Sequence, residues 1–427
     1  MPDPTTIFIS AGEASGEAYG ALLISALDTR LKAQGRHAAF TGMGGARMVA
    51  AGLNPIVRAE DMAVMGITEV VRHLPRIYRE FRRLKSSIRT HRPSIAILID
   101  FPDIHFKLAE EFHHLGIPVL FFVSPQLWAW KKHRIKLVQK YVTRMLVIFP
   151  FEEQFYRERG VAAEFVGHPL ADLPLPTIAR EQFATENDLD PKKTWIALLP
   201  GSRAKEIRDN LPEMLAAARL LANRPGAVLT AGTAFLIPLA HTLRPEHLRM
   251  VYQLVKQHAS DLTVRLITGA CAEEGGAEGA IGRTAGAAAA ALFHARASVV
   301  ASGTATVEAA LLGNPFVVVY RVSPLTYTIA KRVVTVPHVA MANLIAGKRI
   351  VPELIQNDFT AENIIQHLEP LLPDGPPRQS MMQELERVRT LLSPGPGDSH
   401  GGAIDRVAAI ALEVLGVPSP VRESVQS

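Results

Sequence analysis

Trp195-Ile-Ala-Leu-Leu-Pro-Gly-Ser-Arg-Ala-Lys-Glu-Ile207 decides how the chain is read. An apolar run too short for a helix breaks at Pro200-Gly201 and resumes as a polar, helix-compatible segment, the pattern of a buried parallel strand delivering a loop. Gly201 lets the backbone come close to a ligand, Ser202 can cap the following helix, and Arg203 offers a planar fork that matches phosphate oxygens. An anion is the expected guest. The same string also fits an ordinary strand-turn-helix with a solvated arginine, because short glycine-containing motifs recur by chance.

A second loop of the same kind changes the balance. Val299-Val-Ala-Ser-Gly-Thr-Ala-Thr-Val-Glu308 runs from apolar residues through a Ser302-Gly303-Thr304 turn into a helix pattern closed by Gly313-Asn314-Pro315. Backbone donors and hydroxyls there suit a phosphate. Glu308, in the first turns, either caps orphan amides or accepts a ribose diol. Two such strand-end loops in one half of the chain are what a nucleotide-diphosphate pocket needs.

Working toward the amino terminus, Thr5-Thr-Ile-Phe-Ile-Ser10 predicts a first parallel strand, and Ala11-Gly-Glu-Ala-Ser-Gly16 a loop feeding a helix. The G-x-G-x-x-G spacing is missing, which disfavours a dinucleotide cofactor. Glu13 is either a ligand contact or a solvated carboxylate. Ser94-Ile-Ala-Ile-Leu-Ile-Asp100 predicts the clearest strand of this half and ends in Asp100-Phe-Pro-Asp103. Strand ends line the cleft of an open parallel sheet, so Asp100 stands where a general base belongs, while Asp103 after Pro102 reads as a first-turn helix acid. Ile117–Val123 predicts another strand, followed by Ser124-Pro-Gln-Leu-Trp-Ala-Trp130, whose tryptophans stack on a ligand or staple the domain. His168 is expected at the domain edge as a hinge or cleft residue, or as a structural hydrogen-bonding group.

The bulk properties set limits. At 427 residues the chain is long for one core, so two domains around a substrate cleft are expected. The expected boundaries are 1–170, a linker at 171–191, a nucleotide-binding domain at 192–347 and a helical segment at 348–427 that packs back on the first domain or on a partner chain. Cys271 is the only cysteine, which excludes a disulfide framework or a cysteine zinc site within one chain. No leader or spanning segment is legible, so a cytoplasmic protein is expected. A net charge of +5 permits contact with anionic lipid or phosphorylated substrates without arguing for nucleic acid. The stretch 62–89 sets Val64, Met65, Ile67, Val70 and Val71 beside a run of arginines, which suits either a lipid interface or a core helix with a solvated basic face. Part of 270–291, rich in alanine and glycine, is expected to form a loop.

Taken together, Gly12–Gly16, Ala63–Gly66, Asp100–Asp103, Ser124–Trp130, Gly167-His168, Leu199–Arg203, Ser302–Thr304 with Glu308, and Asn343–Gly347 resemble the lipid-A-disaccharide synthases. These are inverting glycosyltransferases of the GT-B type, with two Rossmann-like domains facing across a cleft. The resemblance implies transfer of a diacylated glucosamine from UDP to the 6-hydroxyl of 2,3-diacylglucosamine 1-phosphate (lipid X), without metal or cofactor, at the cytoplasmic face of the inner membrane. It implies Asp100 as the catalytic base, Glu13 and Ser15 in the acceptor-side motif, and Arg203, Glu308 and Asn343 around UDP; Glu13 is taken as a second catalytic residue, and Gly16, Ser302, Gly303, Thr304 and His168 as further substrate-binding residues. Acyl-chain substrates favour the lipid-interface reading of 62–89, and a homodimer is compatible. Glu17 departs from the family, which usually has Asp there. Other readings are another GT-B nucleotide-sugar enzyme, such as an epimerase or a lipid-linked sugar transferase, and a non-catalytic binder of nucleotide sugars.

Overall fold

The computed structural model describes residues 5–62, 67–224, 232–240, 243–268, 286–323, 327, 336–393 and 401–417, with the side chains of 67–74 left out. Val64 and Met65 therefore lie outside the described residues, as do the side chains of Ile67, Val70 and Val71 and the stretch 269–285. The chain forms two units: Met1–Asp172 joined by Leu392–Ser427, and Leu173–Leu391.

In the first unit, strands β1 (Thr5–Ala11), β2 (Ala38–Gly44), β3 (Leu53–Arg58), β4 (Ile95–Ile99), β5 (Val119–Phe122), β6 (Arg144–Val147) and β7 (Ala163–Phe165) form a seven-stranded sheet in the order β3-β2-β1-β4-β5-β6-β7. Every pairing is parallel. β4 is buried along its whole length because helices cover both faces of a parallel sheet, which is why its sequence is apolar without alternation. The order reverses between β1 and β4, where Ala11 sits opposite Ile99. The second unit repeats the plan with β8 (Thr194–Leu199), β9 (Thr233–Leu239), β10 (Val264–Thr268), β11 (Ala297–Ala301), β12 (Phe316–Tyr320) and β13 (Glu353–Ile355), in the order β10-β9-β8-β11-β12-β13 and again parallel. Its reversal falls between β8 and β11.

The boundaries differ from the sequence reading in two places. The segment 171–191 contains the helix Arg180–Glu186, whose Phe183 is buried with its ring 5.8 Å from that of Trp195, so it belongs to the second unit. The segment 348–427 is divided. Helix Pro376–Leu392 lies in the second unit up to Leu391, while helix Ala403–Val414 packs on helix Ala14–Lys32 of the first. Arg30 to Asp405 at 2.8 Å, Arg144 to Glu413 at 2.7 Å, and the Ala403 amide to Asp172 at 2.5 Å hold the last helix in place.

Helix Ile67–His91 carries the basic run. Leu84 and Ile88 enter the core, with Ile77 and Phe81 packed beside them, at the helical spacing of an amphipathic element. Many of its cations have partners: Arg76 pairs with Asp61, Arg79 and Arg83 with Glu80, and Lys85 and Arg89 with Glu111. Tyr78 and Arg82 face solvent, the guanidinium 6.0 Å from the ring centre. Among the described residues no helix is long and apolar enough to cross a membrane.

Candidate active site

In the first unit the strand-order reversal gathers the residues expected to act on the acceptor. Glu13 occupies the N-cap position of helix Ala14–Lys32 without a side-chain capping hydrogen bond and is exposed, Ser15 is exposed in the first turn, and Gly16 is buried beside Ile99. Asp100 follows β4 directly. Burial, then the charge of Glu13, push its carboxyl up to about 6, while the Phe101 amide opposes them. A carboxyl in that range is suited to taking a proton near neutrality.

The backbone there is unusual. Asp100 and Phe101 both adopt left-handed conformations, with φ of 51° and 50°, a region that costs an L-residue roughly 1–2 kcal/mol. The surroundings hold them. The Phe101 ring lies against Gly12, where a Cβ would come within 2.5 Å of it, so only glycine fits. His105, fully buried on helix Pro102–His114, reaches back to the Asp100 carbonyl with Nδ1 at 2.5 Å, and its Nε2 lies 2.8 Å from Ser10 Oγ. Burial lowers the imidazole to about 4, so the ring is neutral. A carbonyl only accepts, so Nδ1–H donates to Asp100 and Nε2 accepts from the Ser10 hydroxyl.

Next to this loop, the two tryptophans of 124–130 part company. Trp128 is buried and donates through Nε1 to Glu152 at 2.9 Å, edge-on to Phe151. Trp130 is 45 % exposed, with Lys131 Nζ 4.2 Å from its ring centre. Asp103 is exposed and pairs with Arg134 at 2.7 Å, as a first-turn helix acid rather than a partner of Asp100.

In the second unit the loops after β8 and β11 lie side by side, because Leu199 pairs with Val300. Arg203 is the exposed N-cap of helix Ala204–Ala222. The Ser202 and Arg203 amides donate to Glu206 Oε2 at 3.1 and 3.3 Å, and Arg203 Nη1 lies 3.3 Å from Glu206 Oε1. Gly201, at φ 121°, leaves no room for a Cβ beside that carboxylate. Ser302, Gly303 and Thr304 open helix Thr304–Leu311, with Gly303 at φ 151° and Thr306 Oγ1 donating to its carbonyl at 2.7 Å. The Glu308 side chain has no partner among the described residues, and burial pushes its carboxyl up to about 7. Tyr320 closes β12, and burial, then the charge of Glu206, raise its hydroxyl while Arg203 opposes them. Among the described residues no cluster of His, Cys, Asp and Glu could hold a metal ion.

The sequence profile described as Lipid-A-disaccharide synthetase matches residues 7–273 and 279–402. The chain is also 58 % identical to the lipid-A-disaccharide synthase of Acidobacterium capsulatum, covering 97 % of this chain and 98 % of that one. The chain belongs to the lipid-A-disaccharide synthase family. The synthase of Koribacter versatilis is 45 % identical over 96 % of this chain and 98 % of its own. Among solved structures, UDP-GlcNAc 2-epimerase from Neisseria meningitidis bound to UDP-GlcNAc superposes with a TM-score of 0.54 at 12 % identity, covering 96 % and 98 % of the two chains. MurG of Acinetobacter baumannii gives 0.52 at 16 %, covering 96 % and 100 %. These likenesses show the fold, which is of the GT-B type.

Two positions expected at the ligand of a lipid-A-disaccharide synthase are otherwise engaged. Asn343 is fully buried: its Nδ2 donates to the Val351 carbonyl at 3.0 Å and Glu353 at 2.8 Å, and its Oδ1 accepts the amides of Ile350 and Val351 at 2.7 and 2.9 Å. With its hydrogen-bonding capacity used inside the fold, it shapes the loop rather than reaching a nucleotide. His168 is buried against Phe149, accepts the Leu170 amide on Nδ1 at 3.1 Å, and is lowered by burial to about 3, so it is a neutral structural group. Glu17 accepts the Arg47 amide at 2.8 Å, in space that Gly45 leaves open. Glu206 and Glu353 escaped the sequence reading. Glu206 had a legible signal, since a glutamate three residues after an N-cap completes a capping box. Glu353, which accepts the Ala340 amide at 2.9 Å besides Asn343, had none.

Proposed function

We propose that the chain transfers a 2,3-diacylglucosaminyl group from UDP to the 6-hydroxyl of 2,3-diacylglucosamine 1-phosphate, giving a β-1,6-linked disaccharide 1-phosphate and UDP. The reading rests chiefly on Asp100, a carboxyl held at the strand-order reversal with its affinity for protons raised to about 6. Asp100 takes the proton of the acceptor hydroxyl as the oxygen attacks the anomeric carbon. The bond from that carbon to the UDP oxygen breaks with its electron pair, and one displacement inverts the centre. Negative charge then grows on the β-phosphate. Arg203 and the amides opening the helices at Ala204 and Thr304 are suited to stabilise it, and Glu308 to accept the ribose hydroxyls. Ser15 and Gly16 border the acceptor, with Glu13 tuning the base.

Contact with the cytoplasmic face of the inner membrane belongs to the same proposal. Acyl substrates have to be drawn from a bilayer, and Val64, Met65, Ile67, Val70 and Val71 set apolar positions at the start of the basic helix Ile67–His91. The paired cations of Arg76 to Arg89 leave less free charge for lipid headgroups than the sequence alone suggests.

UDP release, measured with donor and acceptor lipids together and with each alone, tests the transfer. Release only with both is expected; release from the donor alone, or none, overturns it.

A further inference from the structure

The Asp100 side chain can act as a base only where its backbone puts it, and that backbone is left-handed at two consecutive residues that are not glycine. Phe101 is held by the space at Gly12 and the Asp100 amide donates to the Phe122 carbonyl at 2.9 Å, while the Asp100 carbonyl is gripped by one side chain, His105, whose Nδ1 lies 2.5 Å from the oxygen. We propose that His105, oriented by Ser10, is a positioning residue that aims the Asp100 carboxyl by holding its peptide carbonyl. The proposal rests on the reading of Asp100 as the base.

Three observations carry it. The imidazole is fully buried and spends both nitrogens on this chain, Nδ1 on the Asp100 carbonyl and Nε2 on Ser10 Oγ at 2.8 Å, so neither is offered to a substrate. Its ring is boxed edge-on by Phe101 at 5.7 Å and Phe121 at 6.1 Å, which fixes the direction of the Nδ1–H. Ser10 lies in β1 opposite Leu98 of β4, so its hydroxyl is set by the sheet. A serine on rigid backbone thus selects the tautomer of a histidine, and the tautomer selects a carbonyl orientation five residues back along the chain. With the opposite tautomer, a nitrogen lone pair would face the carbonyl oxygen and the grip would become repulsion.

The geometry distinguishes two amide replacements. His105→Asn places an N–H near the position of Nδ1 and can still hold the Asp100 carbonyl. His105→Gln reaches toward the position of Nε2 and can meet Ser10 without holding it. The experiment measures kcat, donor KM, UDP affinity and melting temperature for His105→Asn, His105→Gln, Ser10→Ala and Asp100→Ala in the full chain. The expected result is a kcat lowered about 100-fold in His105→Gln, the scale of a misplacement near 1 Å. His105→Asn should recover to within about tenfold of wild type, donor KM and UDP affinity should stay unchanged, and Ser10→Ala should fall between. Equal rates in the Asn and Gln variants at matched folded fraction, or losses that follow melting temperature alone, overturn the positioning role. A wild-type rate in Asp100→Ala instead overturns the base reading beneath it. Should the Gln variant not fold, Ser10→Ala decides: an unchanged kcat there is the overturning result.

Discussion

The Arg203 amide donates to the Glu206 carboxylate at 3.3 Å, so the loop read as a phosphate cradle already holds a negative charge belonging to its own helix. The Ser202 amide and the Arg203 guanidinium point to the same carboxylate. A pyrophosphate arriving there meets donors that are organised but occupied, beside a group that repels it.

Glu206→Gln should therefore bind UDP about three- to tenfold more tightly at low salt, because one like charge is removed at partly solvated range. Titration calorimetry of wild type and variant at two ionic strengths checks this, and the gain should shrink as salt rises. Glu206→Ala, which loses the cap as well, should be less stable by about 1 kcal/mol in denaturant unfolding.

Asp100 should set the acid limb of the pH dependence of kcat/KM. A base that is protonated below about 6 makes the rate fall as pH drops through that value. Burial is the larger cause of its raised affinity for protons and the charge of Glu13 the second. Glu13→Gln should consequently move the limb to lower pH without abolishing it. Asp100→Ala should lose nearly all turnover while UDP binding in the second unit survives.

Glu152 links stability to pH. Burial, against hydrogen bonds from Trp128 and the Phe149 amide, pushes its carboxyl up to about 8. Folded chains keep that proton between the usual glutamate range and pH 8, whereas unfolded chains release it, so this stabilising contribution is complete at low pH and lost as pH rises through 8. Denaturant unfolding at pH 5 and pH 8 should show wild type losing a few kcal/mol relative to Glu152→Gln, which lacks the titration.

Asn343→Ala should lower the stability of the ligand-free protein by on the order of 3 kcal/mol, because amides of Ile350 and Val351 are left without their acceptor. A melting curve taken without UDP separates this from loss of a ligand contact, which would leave the free protein as stable as before.

Most interior strands were legible because parallel strands covered on both faces read as unbroken apolar runs, as in Ile95–Ile99 and Thr194–Leu199. The strands that escaped sit mostly at sheet edges. β3 contains Pro55, β7 and β13 are three residues long, and β10 is half-buried along most of its length, so the apolar signal fades where only part of a strand is covered. β9, an interior strand, carries Pro238 within its apolar run.

What the sequence by itself determined was local: which loops follow which strands, that Asp100, Arg203 and Ser302 stand at strand ends, and the family to which those motifs belong. Tertiary structure alone decided which of those polar groups remain available. Asn343 is consumed by Val351 and Glu353, His168 is buried against Phe149, Trp128 is tied to Glu152 while Trp130 stays exposed, and His105 turns back on Asp100. A strand and its loop are specified by neighbours in the chain. Whether a polar side chain serves a ligand or the fold depends on what burial brings against it, often from residues far away in sequence, and a buried donor or acceptor has to be paired.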